Sequence, residues 1–67
     1  MVDITTVNKR VRDFLDSHEN VPEVELDIVY HQDHWFAIVM TEDDILGTII
    51  LDKDGNIQEE NSYPNYS

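Results

Sequence analysis

The fold is decided by residues 23–41, which read EVELDIVYHQDHWFAIVMT. Apolar and charged side chains alternate through residues 23–31, and this period of two is typical of a strand with one buried face. A polar pair at 32–33 interrupts the pattern, and a mainly apolar run follows at 34–41. Two strand patterns separated by two residues predict a tight β-hairpin.

A two-residue turn also fixes the register of the hairpin. With residues 32–33 in the turn, we expect His31 to lie opposite His34. One side of the hairpin then carries an apolar set that a helix can cover: Val24, Leu26, Ile28, Tyr30, Trp35, Ala37 and Val39. The other side carries a second apolar set: Val29, Phe36, Ile38 and Met40. Some of the third-strand residues also join this side, and the conformation of the second turn decides which of them do: Ile45, Leu46, Ile49, Ile50 and Leu51.

An amphipathic helix is predicted before the hairpin, over residues 4–18. Its apolar side chains form one helical stripe, consisting of Ile4, Val7, Val11, Phe14 and Leu15. Asp3 is the expected N-cap, because its carboxylate can accept hydrogen bonds from the free amides of the first turn. Asn20, followed by Val21 and Pro22, is the expected stop.

After the hairpin, the pattern predicts a third strand at residues 45–51 and a glycine-containing turn at 52–56, and residues 57–60 can form a short fourth strand. Residues 61–67 are predicted to form an irregular C-terminal tail. The expected fold is therefore α+β, with one N-terminal helix packed on a three- to four-stranded antiparallel sheet in a single domain at residues 1–60.

A single helix covers only one face of a sheet, so the second apolar set needs another cover. We expect a homodimer through Val29, Phe36, Ile38 and Met40, because a chain this short buries little surface alone. In the alternative, the tail with Tyr63 and Tyr66 and a strongly curled sheet bury these residues in a monomer.

Composition limits the possible functions. The chain has 67 residues and no cysteine, which excludes a multidomain enzyme, a disulfide-stapled miniprotein, a thiol redox protein and a cysteine-ligated zinc module. The formal net charge is -11, and residues 13–67 hold one base and fourteen acids. This charge disfavours direct binding to nucleic acid or to an anionic membrane, and it favours a protein partner with a basic surface. The acidity is equally compatible with a role in solubility or with a high-salt habitat.

The candidate partner-binding residues are the carboxylates of the first strand and of the second turn: Glu23, Glu25, Asp27, Glu42, Asp43 and Asp44. The hypothesis predicts that they gather on one exposed surface.

Chemical motifs are sparse. His31 and His34 flank the first turn, where Asp33 or His18 could add a third metal ligand, but an ordinary polar turn is favoured. Residues 52–56 resemble part of a calcium loop, but the anchoring carboxylates of such a loop are missing. No nucleophile, phosphate or dinucleotide motif is present, so we expect no enzymatic activity, cofactor or metal.

The helix-strand-strand-strand order, together with residues 47–57, GTIILDKDGNI, resembles the PepSY domain over residues 4–60. In that family the last strands commonly carry a hydrophobic run, an Asp, a glycine turn and another apolar residue. The resemblance implies a modulator that binds a peptidase or an extended peptide, with a strand added to the exposed sheet edge as one mode of binding.

In size and acidity the chain is also similar to small phage anti-defence proteins, including anti-CRISPR proteins, which occupy basic nucleic-acid channels. The leading hypothesis is therefore a non-enzymatic acidic protein that binds and inhibits a basic, nucleic-acid-handling partner, and the alternative is the PepSY-like modulator. With no leader and no apolar stretch long enough to span a bilayer, we expect a cytoplasmic protein, in the host cell if it is phage-encoded.

Overall fold

The computed structural model describes residues 1–18 and 21–65. One helix is followed by three strands and a short 3₁₀ helix: α1 Ile4–Asp16, β1 Glu25–His31, β2 His34–Met40, β3 Ile45–Asp52 and the 3₁₀ helix Glu59–Asn61. The strands form one antiparallel sheet in the order β1-β2-β3. The α+β class with an N-terminal helix on an antiparallel sheet is confirmed.

The helix begins as predicted and ends earlier. Asp3 is the N-cap, and its carboxylate accepts a 2.8 Å hydrogen bond from the Thr6 amide, which lowers the pKa of Asp3. The helix ends at Asp16, two residues before the predicted end, because Ser17 caps the last turn with both its amide and its hydroxyl. The predicted stop at Asn20 lies outside the described residues.

The hairpin register is confirmed, with His31 opposite His34 and the rings of Tyr30 and Trp35 in an edge contact at 4.9 Å. Both turn residues, 32 and 33, have positive φ angles of 49° and 64°. Positive φ at both central positions is the requirement of a type I′ turn, whose twist matches that of the flanking strands.

The pairing of β2 with β3 contains an irregularity. Val39 pairs with Gly47 and Met40 pairs with Ile45, so Leu46 has no counterpart on β2. This β-bulge sets which alternate residues of β3 face the helix. The sequence pattern alone did not determine which ones they are.

The core lies between α1 and the inner face of the sheet. It consists of Val7, Val11, Leu15, Trp35, Ala37, Val39, Ile49 and Leu51. Val24, Leu26 and Ile28 pack half-buried against this core, so six of the seven residues predicted for the inner face are confirmed there. Tyr30, the seventh, is 37% exposed. β3 adds Ile49 and Leu51 to the inner face. Ile50, which lies between these two residues, points to the opposite side of the sheet, the outer face.

Of the three- and four-stranded alternatives, the structure has the three-stranded sheet. Ile57 makes a single bridge to Leu51, and a 3₁₀ helix follows. The Ile50 amide donates a hydrogen bond to the Ser62 hydroxyl at 3.0 Å, so a side chain takes the place of a backbone acceptor at this edge of β3. The Tyr63 amide then donates to the Thr48 carbonyl at 3.0 Å, so residues 57–65 follow the free edge of β3.

Candidate functional site

Antiparallel pairing brings the two acidic segments of the chain to one end of the sheet. Glu25, the first residue of β1, pairs with Met40, the last residue of β2. Residues 23–24 precede this pair and residues 42–44 follow it, so both segments leave the sheet at the same end. We call the six carboxylates here the acidic end: Glu23, Glu25, Asp27, Glu42, Asp43 and Asp44.

A groove of about 400 Å³ lies between the two segments. Its walls are Glu23, Val24, Glu25, Met40, Thr41, Glu42 and Asp43. Four carboxylates of the acidic end thus line one concave surface, together with the apolar residues Val24 and Met40. Such a lining suits a long cationic side chain, because the stem can contact apolar atoms while the charged head meets carboxylates.

Asp27 and Asp44 lie outside this groove. Asp27 is farther along β1, opposite Ile38 on the outer face. Asp44 closes the second turn, where its carbonyl accepts from the Thr41 amide at 2.8 Å and its own amide donates to the Thr41 hydroxyl at 3.2 Å. All six carboxylate residues of the acidic end are exposed.

The bases of the chain do not neutralise the acidic end. In the described part of the chain, the two ion pairs join Lys9 to Asp13 at 2.9 Å and the terminal amino group to Asp54 at 3.9 Å. Arg12 lines a separate cavity of about 210 Å³ that also includes Glu23, without an ion pair between them. The six carboxylates of the acidic end are therefore exposed and form no ion pair in the described part of the chain.

Arg10 has a structural role that the sequence pattern did not indicate. Its Nη1 donates to the carbonyl oxygens of Asp54 at 3.0 Å and Gly55 at 3.1 Å, forty-four and forty-five residues away in the chain. This contact joins α1 to the turn after β3. Because it depends on the tertiary fold, no local sequence signal could have identified it.

The outer face is polar at its histidine end and apolar along most of β2. Four rows of paired residues run from β1 through β2 to β3: His31, His34 and Asp52; Val29, Phe36 and Ile50; Asp27, Ile38 and Thr48; Glu25, Met40 and Ile45. The predicted apolar set thus shares one face and gains Ile50. Val29 is 44% exposed, and Phe36, Ile38 and Met40 are half-buried.

The histidine row carries polar contacts of its own. Nδ1 of His34 lies 3.0 Å from the Gln32 carbonyl oxygen. The Asp52 carboxylate accepts hydrogen bonds from the amides of Asn56 at 3.0 Å and Asp54 at 2.9 Å, and these bonds lower the pKa of Asp52. No group of three or more histidine or carboxylate side chains is arranged to hold a metal ion within residues 1–18 and 21–65.

Comparison with family models, with curated proteins and with solved structures finds no match to this chain. In the described residues, no helix is long and apolar enough to cross a membrane.

Proposed function

We propose that this protein is a non-enzymatic interaction protein whose acidic end binds a basic, nucleic-acid-handling protein and blocks its nucleic-acid site. The observation that supports this proposal is the concave cluster of exposed carboxylates around the groove of about 400 Å³. Four of these carboxylates line the groove, and no base forms an ion pair with them in the described part of the chain.

The physical basis of the proposal is electrostatic complementarity. A nucleic-acid site presents arginine and lysine side chains that are spaced for phosphates, and an array of fixed carboxylates can pair with the same side chains. The net charge of -11 speeds the encounter with such a surface and slows the encounter with nucleic acid. Inhibition follows because the acidic end and the phosphates compete for the same cations.

Competition with DNA tests this function. Protamine, a basic nucleic-acid-binding protein, is mixed with a fluorescein-labelled DNA duplex, and displacement of the duplex is followed by fluorescence anisotropy. We expect the wild-type protein to displace the DNA and to lose potency as salt rises, because salt screens exposed charge pairs. Failure to displace the DNA at low salt would contradict the proposal.

A pair of matched variants locates the binding surface. Glu23→Gln, Glu25→Gln and Asp27→Asn together neutralise part of the acidic end. Asp33→Asn, Glu59→Gln and Glu60→Gln together make the same charge change at exposed sites elsewhere. Three exposed pairs at about 0.5 kcal/mol each predict roughly tenfold weaker displacement for the first variant. Equal loss in both variants would show that only the overall charge matters.

A modulator of the PepSY type is the second candidate, and the open edge of β1 favours it. β1 is an outer strand of the sheet, whereas residues 57–65 already occupy the edge of β3. An extended peptide can add to such an edge through main-chain hydrogen bonds. Peptide binding of this kind is expected to respond weakly to salt and strongly to proline in β1, which distinguishes it from binding at the acidic end.

A further inference from the structure

β1 has an unpaired edge within the described part of the chain. It is an outer strand of the sheet, and its pairing with β2 is regular from Glu25 to His31. In residues 1–18 and 21–65, no backbone hydrogen bond from α1 or from a loop reaches β1. β1 also contains no proline, lysine or bulge, which are common devices that stop an edge from pairing. A further strand can therefore add to this edge.

The first turn fixes which residues of β1 direct their backbone groups to the open edge. His31 and His34 flank a two-residue turn, so their backbones exchange both hydrogen bonds. Hydrogen-bonded and non-hydrogen-bonded pairs alternate along an antiparallel ladder. Leu26, Ile28 and Tyr30 therefore direct their N–H and C=O groups away from β2. An added antiparallel strand pairs with these three residues.

A groove of about 410 Å³ lies between α1 and β1. The helix and the strand both line it, with Ile4, Thr5, Asn8, Leu26, Asp27 and Ile28. Asp27 belongs to the outer face, whereas Leu26 and Ile28 belong to the inner face, so the groove reaches the edge of the strand. Ile4 is 53% exposed beside this edge. Apolar side chains of an added strand, on the side of α1, can therefore contact Ile4, Leu26 and Ile28.

The outer face of β1 favours a positively charged neighbour. Glu25 and Asp27 are exposed there, and neither forms an ion pair in the part of the chain that the structure describes. Side chains that lie directly opposite each other on adjacent strands interact, and opposite charges stabilise the pair whereas like charges destabilise it. Lysine or arginine opposite Glu25 and Asp27 is therefore favoured over a carboxylate.

We propose that the β1 edge binds an extended peptide segment in which basic and apolar residues alternate, and that this segment adds to the sheet as an antiparallel strand. Its basic side chains pair with Glu25 and Asp27 on the outer face, and its apolar side chains enter the groove beside Ile4. Main-chain hydrogen bonds to Leu26 and Ile28 set its register. This inference rests on the second candidate function and specifies the chemistry of its peptide.

A synthetic peptide with capped ends and the sequence Thr-Val-Thr-Val-Lys-Val-Lys tests the binding. In the antiparallel register its first residue lies opposite His31 and its last lies opposite Glu25, so the valines face the groove and the lysines face the carboxylates. We expect titration to about 1 mM peptide to shift the amide NMR signals of Leu26, Ile28 and Tyr30 and to slow their hydrogen exchange. Absence of both changes would overturn the proposal.

Two N-methylated forms of this peptide separate strand addition from simple attraction between charges. In the proposed register, the amide of the fourth residue faces Ile28 and the amide of the third residue faces away from β1. Methylation of the fourth amide is expected to weaken binding roughly tenfold, because it removes a main-chain hydrogen bond. Methylation of the third amide is expected to weaken binding less than about threefold. Equal effects would overturn strand addition in this register.

Charge reversal tests the preference for basic residues. A peptide with glutamate in place of both lysines is expected to bind roughly tenfold more weakly. Asp27→Lys is expected to remove most of this preference. Glu60→Lys changes the net charge equally at an exposed site outside β1 and is expected to retain the preference. Equal loss in both variants would show that net charge attracts the peptide, which would overturn the assigned pairing.

A peptide with threonine in place of both lysines distinguishes this inference from the function on which it rests. Binding equal to that of the lysine peptide would overturn the preference for basic residues and would leave strand addition at β1 intact. Binding of neither peptide would contradict the second candidate function as well. The DNA displacement described above does not depend on either result.

Discussion

At the scale of single residues, Gly55 and Arg10 link the helix to the turn after β3. Gly55 has a φ angle of 83°, in the left-handed region that glycine adopts without steric cost. A Cβ at this position would lie 2.8 Å from Nη1 of Arg10 and 3.0 Å from a methyl group of Val2. The absence of a side chain at residue 55 therefore lets the guanidinium reach the two turn carbonyls.

Gly55→Ala is expected to lower the free energy of unfolding by about 2 kcal/mol, because alanine is strained at positive φ and displaces the Arg10 guanidinium. Urea denaturation measures the change. Lys53→Ala, at an exposed position of the same turn, serves as the control and is expected to change stability by less than about 0.5 kcal/mol. A similarly small change for Gly55→Ala would show that the turn adapts without cost.

Sequence identified the turn at Gly55, since Asp, Gly and Asn in succession are strong turn residues. It did not identify the partner of that turn, because Arg10 lies far away in the chain and also fits an ordinary exposed helix position. The first turn shows a similar limit. Its length was predicted from the spacing of the strands, although Gln32 and Asp33 are unusual residues for two consecutive positive φ angles.

At the scale of secondary-structure elements, the hydrophobic period predicted α1, β1 and β2 and the face that each one buries. The hydrophobic period identifies such elements well, because side chains return to the same face about every 3.6 residues in a helix and every two residues in a strand. The period did not specify the parity of β3, because the bulge at Leu46 shifts the pairing by one residue. For this reason, the sequence pattern did not show that Ile50 lies on the outer face.

After β3, the sequence allowed a fourth strand at residues 57–60 as one of two alternatives. The structure instead uses Ser62, which is fully buried, to complete the edge of β3. The Ser62 hydroxyl accepts from the Ile50 amide at 3.0 Å and donates to the Gln58 carbonyl at 2.7 Å. A side chain that replaces a ladder bond leaves no periodic signal in the sequence.

Ser62→Ala is expected to lower the free energy of unfolding by about 1–3 kcal/mol, because it leaves the Ile50 amide without its hydrogen-bond partner and leaves the Gln58 carbonyl with the Asn61 amide as its remaining donor. Urea denaturation measures the loss, and faster amide hydrogen exchange at Ile50 locates it. Ser17→Ala removes an exposed hydroxyl and is the matched control, with a smaller expected loss. Unchanged exchange at Ile50 would contradict the assigned role of Ser62.

At the scale of the whole molecule, the net negative charge opposes folding. Fifteen acids and four bases share a body with principal extents of 31, 22 and 18 Å. At about 10 mM salt the screening length is roughly 30 Å, so most acids repel one another across the folded protein. At about 1 M salt it falls to roughly 3 Å, and this repulsion is largely removed.

The melting temperature is therefore expected to rise with sodium chloride, by about 4–8 °C if screening restores about 1 kcal/mol. Calorimetry at two protein concentrations separates this effect from dimerisation, because self-repulsion within one chain does not depend on concentration. The two triple variants described above each remove three acids, which changes the net charge from -11 to -8. Both are expected to melt higher than the wild type at low salt and to gain less from added salt. An equal gain in all three proteins would mean that salt acts through the apolar core rather than through the acidic surface.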